Sequence, residues 1–190
     1  LGKSDAVGVT DDYGVYSNLF VEHQLCWAHL HRKLRDLAES KTLSKEVSKL
    51  CLDAFNKEAT IYSKVRELAN RNDLNERQRK IYVSNLSKKL KDLSEINVND
   101  PKKLKTCKTT LAQNIPKYLT CVRLPNIPCD NNQAERTLRH IVLKRKTSFG
   151  HISATGAETM SVLMSVFLTI KNRIKNTNQT FFEAYEEFVV

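Results

Sequence analysis

Methionine is nearly absent from this chain of 190 residues, with two copies, Met160 and Met164, both late. No methionine precedes the first element, so a chain opening at Leu1 reads as a fragment. No Cys-x-x-Cys pair occurs among the five cysteines at 26, 51, 107, 121 and 129. That odd count without paired spacing points away from a disulfide framework and from a zinc ribbon. Reduced thiols in the cytoplasm are the simplest account. Long apolar runs are missing too. The longest, Met160 to Ile170, is broken by Ser161, Ser165 and Thr169, well short of the ~20 apolar residues that span a bilayer. No signal peptide, internal repeat or low-complexity tract is visible.

Acidic charge is the other shortage. Lysine and arginine number 31 against 21 aspartates and glutamates, a net charge of +10 and a pI near 9.4. Such an excess of cations implies a polyanionic partner, nucleic acid first and an anionic membrane second, with a merely well-solvated basic surface as the alternative. Hydrophobic residues at 41% and charged residues at 27% fit a soluble globular protein.

The first forty residues read as strand, short helix, strand, helix. Ala6 to Thr10 is a β-rich run ending at Asp11. Tyr13 to Phe20 fits a short helix, His23 to Trp27 a second strand, and Ala28 to Glu39 a helix with Leu30, Leu34 and Leu37 on one face. From Leu43 to Asn70 apolar residues keep helical spacing. After a polar break at 70–75 a second helix runs to about Ile96, and the pair should pack antiparallel outside the sheet. Asp100-Pro101 predicts the start of a third helix, stopped by Pro116. Pro125 and Pro128 lead into Asp130-Asn131-Asn132, good capping residues for a helix bearing Glu135. Ala134, Leu138, Ile141 and Val142 define its expected buried side. Thr155-x-x-Glu158 and Thr180-x-x-Glu183 read as capping boxes of two closing helices.

Two carboxylates stand out. An aspartate at the carboxyl end of a buried strand occupies the place where α/β sheets carry functional groups, which singles out Asp11. Its neighbour Asp12 is a rival, and taken alone the pair is better read as the start of a turn. Glu135 sits within a turn of its helix start. Alone it reads as half of an exposed pair with Arg139, worth about 0.3–0.5 kcal/mol. The surroundings shift the balance. Between Arg136 and Ala157 lie Arg136, Arg139, Lys144, Arg145 and Lys146, with no acidic residue. A one-signed run directly after a candidate metal ligand suits a DNA backbone, whose phosphates lysine and arginine neutralise. Cys26, His29 and His31 make only a weak metal signal without a second ligand pair. Trp27 reads as a packing residue.

Three segments carry a resemblance to a known family: Thr10 to Tyr16, Cys26 to Lys33, and Asp130 to Arg139, the last the most specific. Arg145-Lys146 and the Gly156-Ala157-Glu158 helix start add to it. Together they resemble the DDE transposases of insertion-sequence family sixty-six over roughly Ala6 to Arg173. The resemblance implies an α/β fold: a partial ribonuclease-H-like core of few strands with a large all-helical insertion, hence a mostly helical chain. Core would fill 1–40 and 121–190, and the insertion 41–120. Asp11 matches the second acidic position and Glu135 the third, with the first on a strand upstream of Leu1. The family usually has glycine where Asp12 stands. Implied with these are two Mg2+ or Mn2+ ions held by Asp11 and Glu135, a double-stranded DNA partner at transposon ends, self-association, and no membrane. Lacking one carboxylate, the chain by itself is expected not to cleave DNA. The rival class is a non-catalytic basic helical module binding nucleic acid or protein, an inactivated transposase remnant.

Overall fold

A computed structural model describes residues 4–12, 14–147, 153–177 and 180–189. Within these, the side chains at 17, 18, 140, 141, 144, 145, 176 and 187–189 are outside the described part. The chain divides into two compact units, Leu1–Asn131 and Asn132–Val190.

The first unit starts with two strands, β1 (Ser4–Thr10) and β2 (Phe20–Leu25). They pair in parallel, Gly8 opposite His23 and Thr10 opposite Leu25. Parallel strands need a crossover. Here it contains a short 3-10 helix, Gly14–Asn18. Gly8 has a steric reason: a Cβ there would come within 2.2 Å of the Phe20 ring.

Helices follow. They are α1 (Trp27–Ala38), α2 (Lys45–Ala69), α3 (Glu76–Ser94), α4 (Lys102–Tyr118) and the single turn α5 (Thr120–Arg123). The expected hairpin of α2 and α3 forms, broken at 70–75. It runs antiparallel: Lys64 lies over the Tyr82 ring, and Ile61 shares a hollow with Lys89 and Leu93. Ser44 caps α2 and Asn75 caps α3. The hairpin does not stand apart. Cys51, Ile61 and Val65 of α2 and Leu86 and Leu90 of α3 join Trp27, Leu30 and Leu34 in one continuous core.

One sequence expectation needs correction here. Asp100 does not cap α4, which begins one residue later with Pro101 in the cap position. The Asp100 carboxylate is drawn instead to Lys108 at 2.7 Å and to the Asn97 N–H at 2.8 Å. The expected end near Asn114 is present as a break: Asn114 leaves helical geometry at φ −123°, ψ 15°, and a further helical turn containing Pro116 carries α4 to Tyr118. Proline lacks an N–H and crowds the preceding turn. Asn114 relieves the kink by donating its side-chain amide to the Thr110 carbonyl at 2.9 Å.

The second unit holds α6 (Asn132–Thr147), α7 (Ala154–Thr177) and α8 (Phe181–Val189). Thr180 and Glu183 make the expected reciprocal cap. Thr155 does not cap α7. The helix starts earlier, and Ser153 Oγ accepts the Gly156 N–H at 3.0 Å. On α6 the side expected to be buried is open, with Leu138 51% and Val142 43% exposed. Periodicity identifies a face but supplies no partner for it. Ile141 lies outside the described side chains.

Candidate active site

Asp11 follows β1 directly and is half-buried. Its backbone is held from behind. Thr10 donates its hydroxyl to the Asp11 carbonyl at 2.7 Å, and His23 Nε2 lies 2.7 Å from the same hydroxyl oxygen. With the hydroxyl proton directed to the Asp11 carbonyl, the Nε2–H tautomer of His23 completes the pair by donating to the Thr10 oxygen. Burial, helped by Lys117, lowers the His23 pKa and favours the neutral ring.

Asp12 is differently placed. Lys33 of α1 reaches its carboxylate at 2.5 Å. β1 ends at Thr10, so strand alternation does not extend through the two aspartates.

Cys26 is the hinge of the region. Its N–H donates to the Thr10 carbonyl at 2.8 Å. Its Sγ accepts the Asn131 N–H at 3.4 Å. Trp27 N–H donates to the Cys129 carbonyl at 3.1 Å. The segment Cys129–Asn131 is therefore fastened to the carboxyl ends of both strands. Tyr62 of α2 adds a hydrogen bond from its hydroxyl to Asp130 at 3.2 Å. Burial raises the Cys26 thiol pKa and lifts that of Cys129 to about 11, so both are neutral packing groups rather than nucleophiles. Trp27 is fully buried, stacked on Tyr62 at 5.5 Å, and donates its indole N–H to the Tyr118 carbonyl at 2.7 Å.

In the second unit Glu135 lies in the first turn of α6, half-buried. It shares a shallow hollow of about 520 Å³ with Asn132, Arg136 and Arg139. Arg136, Arg139 and Lys146 are exposed on α6. Lys144 and Arg145 lie on the same helix, with side chains outside the described part.

Carboxylates such as Asp11 and Glu135 are the donor chemistry that hard divalent ions prefer. Among the described residues no group of three or more histidine, cysteine or acidic side chains gathers as a metal site. His31, considered above with Cys26, turns instead to Glu58.

The model of the transposase IS66 family matches residues 1–159. The chain belongs to this family. No curated protein and no solved structure matches it. Transposition is thus the function of its family, and its predominantly helical make-up with two parallel strands accords with the expected mostly helical chain. No helix among the described residues is long and apolar enough to cross a membrane.

Sequence reasoning missed three participants of this transposase chain. Thr10 and His23 brace the backbone at Asp11, and Lys33 claims Asp12. Lys33 lay inside a segment carrying the family resemblance, yet no local spacing links it to a residue 21 positions earlier.

Proposed function

We propose that this chain is part of the catalytic region of a DDE transposase, cutting and joining DNA at transposon ends in the cytoplasm. Residues 1–40 and 121–190 would form a partial ribonuclease-H-like core around a helical insertion, 41–120. The observation that carries the reading is the Thr10–Cys26–Asn131 tie. It fastens the approach to the glutamate helix onto the strand ends beside Asp11.

Asp11 and Glu135 would hold Mg2+ or Mn2+. Of the two aspartates we favour Asp11, which directly follows β1, as the ligand. Bound divalent ions activate the attacking oxygen and stabilise the leaving one in this class of phosphoryl transfer. The protein supplies position and charge. Arg136, Arg139, Lys144, Arg145 and Lys146 neutralise phosphates of double-stranded DNA across the site. The Thr10–His23 brace keeps Asp11 from shifting with its strand. Exposed apolar residues on α7 and α8, among them Leu163, Phe167 and Phe182, support self-association. Two carboxylates hold such ions weakly, so the 190-residue chain by itself is read as inactive in cleavage.

The test is cleavage of transposon-end DNA by the complete transposase with Mg2+. Asp11→Asn and Glu135→Gln should each take cleavage below detection while duplex binding persists, and Asp12→Asn should keep it. Normal cleavage by the Glu135→Gln protein would overturn the reading.

A further inference from the structure

Between α1 and α4 lies a cleft of about 720 Å³. It opens at Asp12, one residue beyond the proposed metal ligand. Leu30, Leu37, Leu43 and Tyr118 give it an apolar floor, and Thr106 and Thr110 stand on one wall. Lys33, Lys102 and Lys103 line it as well, the last two exposed.

The charges sort into used and unused. Lys33 answers Asp12, and Asp36 faces Arg35 at 3.3 Å. Helix α4 carries five lysines and no acidic residue. Two of them are committed: Lys105 donates to the Val98 carbonyl at 2.9 Å, and Lys108 to Asp100 at 2.7 Å. Among the described residues neither Lys102 nor Lys103 forms an ion pair. An apolar slot with uncommitted cations at its edge wants a ligand that is apolar-faced and anionic at once.

We propose that the cleft takes one unpaired nucleotide of the DNA substrate. The base enters the apolar slot and its flanking phosphates meet Lys102 and Lys103. The volume falls within the range of pockets that enclose small ligands. A duplex is too broad to enter, so the nucleotide must leave the stack, at an energetic cost that is least where it is already unpaired. Apolar cover for the base and lysines for the backbone are the usual terms of single-strand binding. The proposal rests on the DNA-processing reading, since the cleft adjoins the carboxyl end of β1.

The experiment compares the 190-residue chain on a blunt duplex and on a forked duplex of equal length with a short unpaired strand, by fluorescence anisotropy. The wild type should bind the fork about tenfold more tightly. Thr110→Phe, which fills the slot, should erase that preference and leave duplex binding unchanged. Lys102→Ala with Lys103→Ala should lower the log–log salt slope for the fork by about 1.4, at ~0.7 per phosphate contact on a single strand. Circular dichroism melts establish that each variant is folded. Arg136→Ala with Arg139→Ala should weaken both substrates alike. Equal binding of fork and duplex by the wild type, or a preference that survives both cleft variants, overturns the cleft alone. Binding to neither DNA overturns the DNA reading and the cleft with it.

Discussion

Glu58 sits on α2 with no exposed surface, and one of its oxygens accepts from or donates to His31 Nδ1 at 2.7 Å. The other has no partner among the described residues. Burial dominates its chemistry and pushes its pKa up to about 7, against the opposing pull of His31. The sign follows from that rise. A protonated Glu58 suits the folded state, and its contribution is complete below the unfolded value near 4.5. It is lost as pH climbs through about 7, and the total reaches about 3 kcal/mol at 1.36 kcal/mol per unit. Urea midpoints at pH 5 and pH 8 test this. The wild type should lose more stability over that interval than Glu58→Gln, whose side chain cannot ionise. Equal losses in the two proteins would show that the carboxyl is already ionised at pH 5. Position in sequence hides this residue: a glutamate on an amphipathic helix reads as solvent-facing, and only the tertiary position of His31, 27 residues earlier, draws it inside.

Elements were more legible than their ends. Apolar periodicity gives α2 and α3 and the break between them, because a helix that must bury one face leaves that face in the sequence. Their starts depend on single hydrogen bonds, which many residues could supply. Asn75 is the clearest case. Its side chain accepts the Gln78 N–H at 2.9 Å, and Gln78 accepts the Asn75 N–H at the same distance. The neighbouring Arg79 is buried and donates to the Arg71 and Val122 carbonyls at 2.7 and 3.0 Å. The first turn of α3 therefore anchors α5 as well. Asn75→Ala should cost about 1 kcal/mol in denaturant unfolding, and Asn75→Ser should recover most of it. No loss in the alanine variant would mean that Arg79 alone holds the turn. Where two caps compete in one stretch, as at Ser153 and Thr155, pattern alone picked the wrong one. The helix simply begins at the earlier oxygen that can reach an N–H.

At the scale of the whole molecule, charge was the most direct message and the meeting of the motifs the least. The family segments around Asp11, Cys26 and Asp130 were recognisable as separate stretches. What the sequence could not display is that Cys26 hydrogen-bonds to Thr10, 16 residues earlier, and to Asn131, 105 residues later. The net charge of +10, by contrast, needs no fold to be read. Its placement makes a quantitative demand. Lys144, Arg145 and Lys146 lie on α6 downstream of Glu135, in a stretch of sequence without acidic residues. Cations that touch phosphate release condensed counterions, and each contact contributes about 0.9 to the slope of log affinity against log salt on a duplex. Cations that only decorate a surface contribute through long-range attraction, which salt screens over about 10 Å at 0.1 M. Replacing Arg145 and Lys146 with alanine should therefore weaken binding to any duplex sequence and lower the slope by about 1.8 in a sodium chloride titration. Weaker binding with an unchanged slope would place both side chains away from the phosphates and return the run to an ordinary solvated face.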